Sequence, residues 1–463
     1  MAPTMILAPL SDDDVAVAAG DYGLDTDAFC AVLRERGLTQ LSKPPVTLLQ
    51  LLEYHRVNGT LPATAAEACQ QALLLLCSET RRPADIRDLE AALKAAARHV
   101  LTTSYVRYRP DLEQPFPNED ELVRQVVAAM GKANQQVADK HRHGLRDAHA
   151  KSHGVLAGEL RVQPDLPAHL AQGLFAEPAT YPVIVRFSSA PGDLRSDQVP
   201  VQRGLAMKVI GAPGPRALDD GFTTQDFLLV NHPTLPFGNI AEYAKLQDLL
   251  EKQPRQSDQQ LQLTGAAARV AAKALTRVGR PLPPAVETLA AANDHILGET
   301  FHSMAALRYG DHVVKMSAAP RSANVKALTG SHVDRKAGES ALRDLVIDFF
   351  AHNSAEYDIR AQLCTDVDRM PVEDASVLWP EELSPHRTVA VLHLPAQDAY
   401  SDARRRYADD VLSFSPWHAL EAHRPLGSIM RSRRAAYPAS SDFRHGFNGI
   451  EPQEPSDVKE LPA

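Results

Sequence analysis

Between residues 154 and 235 the chain is cut into short apolar runs by Gly, Pro and Asp. Residues 155–162, 181–187, 204–210 and 226–230 form the first four runs, and their length and bounds read as strands. Further runs at 301–309, 312–316, 349–364 and 388–394 extend the series. Eight or so strands with antiparallel-style connections predict a β-barrel.

Helical patterns surround this region. Residues 119–140 read as one amphipathic helix with Leu122, Val126, Val127 and Met130 on one side. A Gln- and Ala-rich stretch at 240–298 interrupts the strands and breaks at Pro281, Pro283 and Pro284. Residues 416–437 turn helical again. Residues 1–100 are Leu- and Ala-rich with helical spacing at 65–76 and 86–100, Asp85 being placed to cap the second run. They carry no phosphate loop, metal motif or repeat, and read as a helical interaction or oligomerisation segment. The Pro- and Glu-rich tail, 448–463, is expected to be disordered.

With 463 residues, 44% of them hydrophobic, the chain can bury a sizeable core. Its net charge of -9 argues against a general nucleic-acid binder. The longest apolar runs are too short to cross a bilayer, and no signal-peptide pattern opens the chain. Cys30, Cys69, Cys77 and Cys364 are scattered without a C-x-x-C pair, which fits free thiols in a reducing cytoplasm.

The residues that suggest chemistry lie at the two ends of the strand region. Near the C-terminus stands Arg433-Arg434-Ala435-Ala436-Tyr437-Pro438, followed by Arg444. Arg433 lies one helical turn before Tyr437 on the same face, with Met430. A guanidinium beside a phenol favours the phenolate, a hard anionic ligand suited to ferric iron. Gly427-Ser428 is placed to start this helix, and Pro438 is expected to kink or end it. Far upstream stands Arg146-Asp147-Ala148-His149-Ala150-Lys151, with His153 four residues after His149. That spacing would suit a metal pair on a helix, but Gly154 and the alternating run behind it argue for the start of a strand. Arg186 alternates away from Val185 and Phe187, so a polar partner is required if its face is covered.

In order and spacing, five segments resemble the haem catalase superfamily, and more closely its smaller catalase-like, catalase-related peroxidase branch. They are Arg146 to Lys151, Val185-Arg186-Phe187-Ser188, Arg203-Gly204-Leu205-Ala206-Met207-Lys208, Asp226 to Pro233, and Arg433 to Pro438. The likeness covers roughly residues 103–447 and does not reach the first hundred. It implies an α+β fold, a catalase-like antiparallel barrel with surrounding helices behind an extra N-terminal helical segment. It implies haem b with Tyr437 as the iron ligand, the choice catalases make. His149 would be the distal acid–base, with Ser188 fixing its ring. Arg146, Arg186 and Arg444 would hold the propionates, and Arg433 would tune Tyr437. Asn231 is taken as the distal amide, although a match anchored on Pro233 puts Val230 where the usual asparagine falls.

The activity implied is decomposition of hydrogen peroxide by a soluble cytoplasmic enzyme, and the N-terminal segment suggests a homo-oligomer. Two alternatives stay open: rearrangement of an organic hydroperoxide, as in allene oxide synthases, and a haem-binding sensor. The segment Pro233-Thr234-Leu235-Pro236-Phe237 has one aromatic where catalases often have a pair, which predicts a wider pocket open to organic hydroperoxides.

Overall fold

The computed structural model describes residues 105–250, 258 and 293–463 apart from 335, together with 12–21, 24–36 and scattered positions up to 63. The chain divides into two units, Met1–Ser104 and Tyr105–Ala463. In the first, α1 (Asp12–Asp21) and α2 (Thr26–Glu35) are described. The Asp25 carboxylate caps α2 by accepting from the Ala28 amide at 3.0 Å. Phe29 and Leu33 of α2 bury against Val15, Ala19 and Leu52. The helices expected at 65–76 and 86–100, and the Asp85 cap, lie outside the described residues.

Nine strands are described in the second unit: β1 (Lys151–Val162), β2 (Thr180–Ser189), β3 (Arg203–Val209), β4 (Gln225–Val230), β5 (Phe301–His302), β6 (Leu307–Tyr309), β7 (His312–Pro320), β8 (Ala355–Leu363) and β9 (Arg387–Leu394). Their order is β5-β4-β3-β2-β1-β9-β8-β7-β6, and β5 also pairs with β7. That last pairing closes eight strands into an antiparallel barrel and leaves β6 as a flap on β7. The inside is filled by alternate residues, among them Leu156 and Leu160, Val183, Val185 and Phe187, Leu205 and Met207, Phe227 and Leu229, Met316, and Tyr357 and Ile359. Each such side chain contributes about 1.5–3 kcal/mol of burial.

Among the described residues, the longer helices outside it are α3 (Glu119–His141), α4 (Ile240–Leu250), α5 (Ala341–Phe350) and α6 (Ser428–Asn448). The α6 N-terminus is the best anchored. Gly427, at φ 86°, turns the chain into the helix. A Cβ there would meet the Val372 carbonyl at 2.6 Å. The Glu373 carboxylate accepts the free Ser428 amide at 2.8 Å. One turn on, Arg431 joins Glu119 at 2.6 Å, Glu373 at 2.7 Å and Glu113 at 3.3 Å. This single guanidinium ties α6 to the start of α3 and to the loop before β9.

Four sequence readings are corrected. The run 301–309 splits into β5 and β6, because Met304 takes a left-handed φ of 58° and Ser303 binds the Ala305 carbonyl. The run 349–364 is not one strand. Leu342, Val346 and Phe350 repeat at helical spacing and bury one face of α5, so the strand begins only at Ala355. The C-terminal helix starts at Ser428, not 416, and continues through Pro438 to Asn448. Proline removes one backbone bond, but Ser440 and Arg444 anchor the far turn through side chains. The tail does not fray. Leu461 and Val458 pack on Val155, Ile184 and Leu412, and Arg404 holds the Pro462 carbonyl at 2.8 Å.

Among the described residues, no helix is long and apolar enough to cross a membrane.

The barrel end near α6 contains a histidine that is stable only when neutral. His423 packs against Phe175, Phe227 and Tyr309. Its Nε2 accepts the Leu174 amide at 2.9 Å. Burial pushes its pKa down to about 3. An unfolded histidine takes up its proton near pH 6.5, so this contribution to stability is complete above that pH. It is lost as pH falls from about 6.5 towards 3. Melting temperature should therefore decline over this window, and less steeply in His423→Gln, which starts from a lower value. Parallel melting curves against pH would contradict the assignment.

Candidate active site

The bottom of β1 and β2 brings four of the sequence candidates together. Ser152 pairs with Ser188, and the register then slips by one residue so that Gly154 faces Phe187. His153 is the bulged residue between them. In β2 the odd positions Val185 and Phe187 fill the barrel, so Arg186 and Ser188 point to the outer face. Both are nevertheless buried, because the chain from 142 to 150, the 402–411 segment and α6 cover them.

His149 enters this outer face from the loop before β1. Its φ is 56°, the left-handed region that a non-glycine residue occupies at a cost of about 1–3 kcal/mol. Two backbone bonds hold the turn: its amide donates to the Ala190 carbonyl at 2.8 Å, and its carbonyl accepts from Arg186 at 2.7 Å. The ring lies over Gly204 of β3, where a Cβ would come within 2.5 Å of Nδ1. Nδ1 makes a 3.0 Å hydrogen bond with Ser188 Oγ, and no protein group bonds Nε2 among the described residues. Burial, followed by Arg186, Arg433 and Arg146, pushes the pKa down to about 3. At neutral pH the ring is uncharged, with one nitrogen held and the other open.

Tyr437 lies on α6, behind the same loop. Asp147, two residues before His149, accepts the Ser440 hydroxyl at 2.7 Å, one turn beyond Tyr437. Asn448 brackets Gly144 through the amide at 2.7 Å and the carbonyl at 3.0 Å. The α6 helix and the His149 loop are thus fastened side by side. Arg433 stands 6.0 Å from the centre of the Tyr437 ring and donates to Met430 Sδ at 3.3 Å, on the face expected for all three. Its effect on the phenol is outweighed, however. Burial raises the Tyr437 pKa, Arg433 lowers it, and Asp147 raises it, with a net upward direction. The neighbouring guanidinium alone does not make a phenolate here. No protein hydrogen bond reaches the Tyr437 hydroxyl among the described residues.

Arg146, Arg186 and Arg444 converge on one turn, the π-helical Tyr407–Val411. Arg186 donates to Asp409 Oδ1 at 3.0 Å and to Ser152 Oγ at 2.8 Å. Arg146 reaches the same oxygen at 3.3 Å and the carbonyls of Ala408 and Leu412 at 2.6 and 2.8 Å. Arg444 binds the carbonyls of Asp409 and Leu412. Burial, with crowding by neighbouring arginines, pushes Arg444 down to about 10 and lowers Arg146 strongly.

Asn231 lies apart from this group. Its Oδ1 accepts the Arg203 amide at 2.7 Å, and its side chain also bonds Glu299. It secures the start of β3, next to Gly204, and has no hydrogen bond to His149 or Ser188. His153 is likewise separate. Its Nε2 meets Ser189 Oγ at 2.7 Å and its ring approaches Asp197, so it makes no pair with His149. Trp417 packs, as expected, donating to the Met430 carbonyl at 2.7 Å.

Four contributors escaped the sequence reading: Asp147, Ser152, Asp409 and Ser440. Asp147 was visible inside the Arg-x-x-His segment, but nothing local marked Asp409, which is 223 residues from Arg186. Among the described residues, the groups left open to a ligand are a phenol with no protein hydrogen bond, a histidine with one free nitrogen, and guanidinium edges beyond those used by the turn.

No protein-family model and no curated protein matches the chain. Among solved structures it is similar to a fungal catalase at 15% identity, covering 67% of this chain and 62% of that one with a TM-score of 0.48. A bacterial catalase matches at 14% identity over 70% of this chain and 61% of that one, TM-score 0.46. Catalase A from Saccharomyces cerevisiae matches at 15% identity over 68% and 65%, TM-score 0.46. The chain thus spans less than two thirds of each of these catalases. The barrel is established by its own strand pairing.

Gly204 gives a direct check on the His149 geometry. Gly204→Ala should fold with a loss of about 1–3 kcal/mol, the usual penalty for overpacking. It should also move the His149 imidazole resonances in NMR spectra. Gly131→Ala in α3, where the added methyl meets open space, should leave them in place and stabilise by about 0.5–1 kcal/mol. Unmoved His149 resonances in Gly204→Ala would mean the ring does not rest on this strand.

Proposed function

We propose that the Tyr105–Ala463 unit is a haem-dependent, peroxide-decomposing oxidoreductase of catalase or peroxidase type. The observation that carries this reading is His149, with Nδ1 held by Ser188 and Nε2 open, on a loop fastened through Asp147 and Ser440 to the helix that bears Tyr437. Bound haem b would supply a redox-active ferric iron. Tyr437 would ligate it, its phenolate favoured by Arg433 and by the iron's own charge against the upward pull of burial. Arg146, Arg186 and Arg444 would face the haem carboxylates.

The chain's own part in the chemistry is proton movement. With its pKa depressed to about 3, His149 is neutral at physiological pH, and Nε2 is free to accept a proton from one peroxide oxygen. The same low basicity lets it return that proton to the departing oxygen. Ser188 and Gly204 keep the ring at one angle while this happens. Asn231 contributes by fixing the start of β3, and so the Gly204 platform.

An absorption spectrum of the purified protein, before and after hydrogen peroxide, tests the proposal. A Soret band that responds to peroxide is expected; no Soret band in haem-reconstituted protein would end the haem reading. Tyr437→Phe should lose or greatly weaken haem retention. His149→Ala should retain haem and react with peroxide about two to four orders of magnitude more slowly, the worth of a positioned proton carrier. Wild-type rates in His149→Ala would remove it from the chemistry.

Substrate size is a second question. The one aromatic after Asn231, Phe237, stacks on Tyr243 of α4 at 4.5 Å, and Leu235 is buried in the barrel core cluster. Both are engaged elsewhere, which supports an open pocket. Kinetics with hydrogen peroxide, cumene hydroperoxide and a fatty-acid hydroperoxide should show turnover of the organic substrates. Rapid oxygen release from hydrogen peroxide with no reaction of either organic hydroperoxide would show a closed pocket.

A further inference from the structure

We propose that Asp409 is a built-in counter-anion that stands in for a ligand carboxylate in the Arg146–Arg186–Arg444 cluster and moderates how tightly the cluster holds that ligand. The proposal rests on the haem reading above for the identity of the ligand.

Three guanidiniums converge on one turn, two of them on nearly fully buried side chains, Arg186 and Arg444; burial, then Arg444 and Arg186, holds Arg146 well below its usual range. Such a group needs an anion nearby. The carboxylate that meets it is Asp409, and it does so through one oxygen. Oδ1 takes hydrogen bonds from Ser152 at 2.6 Å, from Arg186 Nη2 and Nε at 3.0 and 3.2 Å, and from Arg146 at 3.3 Å. The next carboxylate, Asp410, is occupied by His143 at 2.8 Å. Among the described residues, the Asp409 carboxylate bonds Arg186 and Arg146 directly, Arg444 bonds only the Asp409 backbone carbonyl, and Asp410 and Asp147 add attraction without a hydrogen bond to any of the three.

The arginine edges are only partly used. Among the described residues, Arg186 Nη1, Arg146 Nε and Arg444 Nε have no protein acceptor. These unused edges suit one dicarboxylate, the form in which a porphyrin carries its two propionates. Asp409 itself sits on a π-turn, a local geometry common at functional sites. In the ligand-free protein it makes the cluster tolerable. In the ligand-bound protein it weakens the hold on the ligand by reducing the positive charge that the ligand meets.

This predicts opposite signs for two measurements on one variant. Asp409→Asn keeps an acceptor oxygen for Ser152 and Arg186 but removes the charge. The ligand-free variant should melt lower than wild type. Its affinity for iron-free protoporphyrin IX, followed by fluorescence, should rise roughly fivefold or more, because an uncompensated charge at close range attracts the carboxylates more strongly. Its affinity for protoporphyrin dimethyl ester should stay near wild type. Asp409→Glu should return both properties towards wild type.

A purely structural role for Asp409 would lower stability and porphyrin affinity together, and that result would overturn the proposal. So would equal gains for the acid and the ester. If wild type binds neither haem nor protoporphyrin, the haem reading fails, and the role of Asp409 is then decided with phthalate as a plain dicarboxylate probe. Greater thermal stabilisation of Asp409→Asn than of wild type by phthalate supports the counter-anion; equal or smaller stabilisation overturns it.

Discussion

The pairing of β1 with β2 is the constraint on which the site depends. Its register places Val185 and Phe187 inside the barrel, and so Arg186 and Ser188 outside. A slip of one residue would exchange the two sets and bury the arginine among Leu, Phe and Met side chains. The bulge at His153 adds a second effect. It lets Ser152 face Arg186 and Asp409 while His153 turns to Ser189 and Asp197, so adjacent residues serve separate networks. The strained turn at His149 is then held from the same strand pair, by the Arg186 side chain and the Ala190 carbonyl.

The other half of the site is held by charge. Arg431 gathers Glu113, Glu119 and Glu373 at the start of α6, and these bonds raise its pKa strongly. Its removal would leave three partly buried carboxylates facing one another. The far half of α6 is held by Ser440 on Asp147 and by Arg444 on the 409–412 backbone. Tyr437 therefore sits between two anchored turns. That arrangement also explains why Pro438, in the middle of the helix, does not end it.

Much of this was legible locally. The alternation around Arg186 marked its outward face and its need for a partner, and Asp409 is that partner. The four-residue spacing of Arg433 and Tyr437 placed them on one face, and they are found there. The first four strand runs were visible because Gly, Pro and Asp bound them. Elements were misjudged where apolar content outweighed spacing. Phe349 and Phe350 looked like the start of a strand, but Leu342, Val346 and Phe350 repeat with a helical period. The tail looked disordered by composition, yet Leu461 and Glu454 find a groove and a lysine, Lys208, on the barrel wall.

By itself, the sequence determined what short-range periodicity can determine: most of the barrel strands, their inward and outward faces, and the shared face of Arg433 and Tyr437, while the wider set of candidate site residues came from the order of its motifs. Tertiary structure decided the charge states and the pairings. Arg433 beside Tyr437 predicts a phenolate, but the phenol's pKa moves upward because burial by distant segments outweighs one guanidinium. Asp409 meets its arginines across 223 and 263 residues of chain, and no local pattern carries information over that separation. Desolvation and ion pairing depend on what the whole fold packs around a group, and for that reason they could be read only from the folded chain.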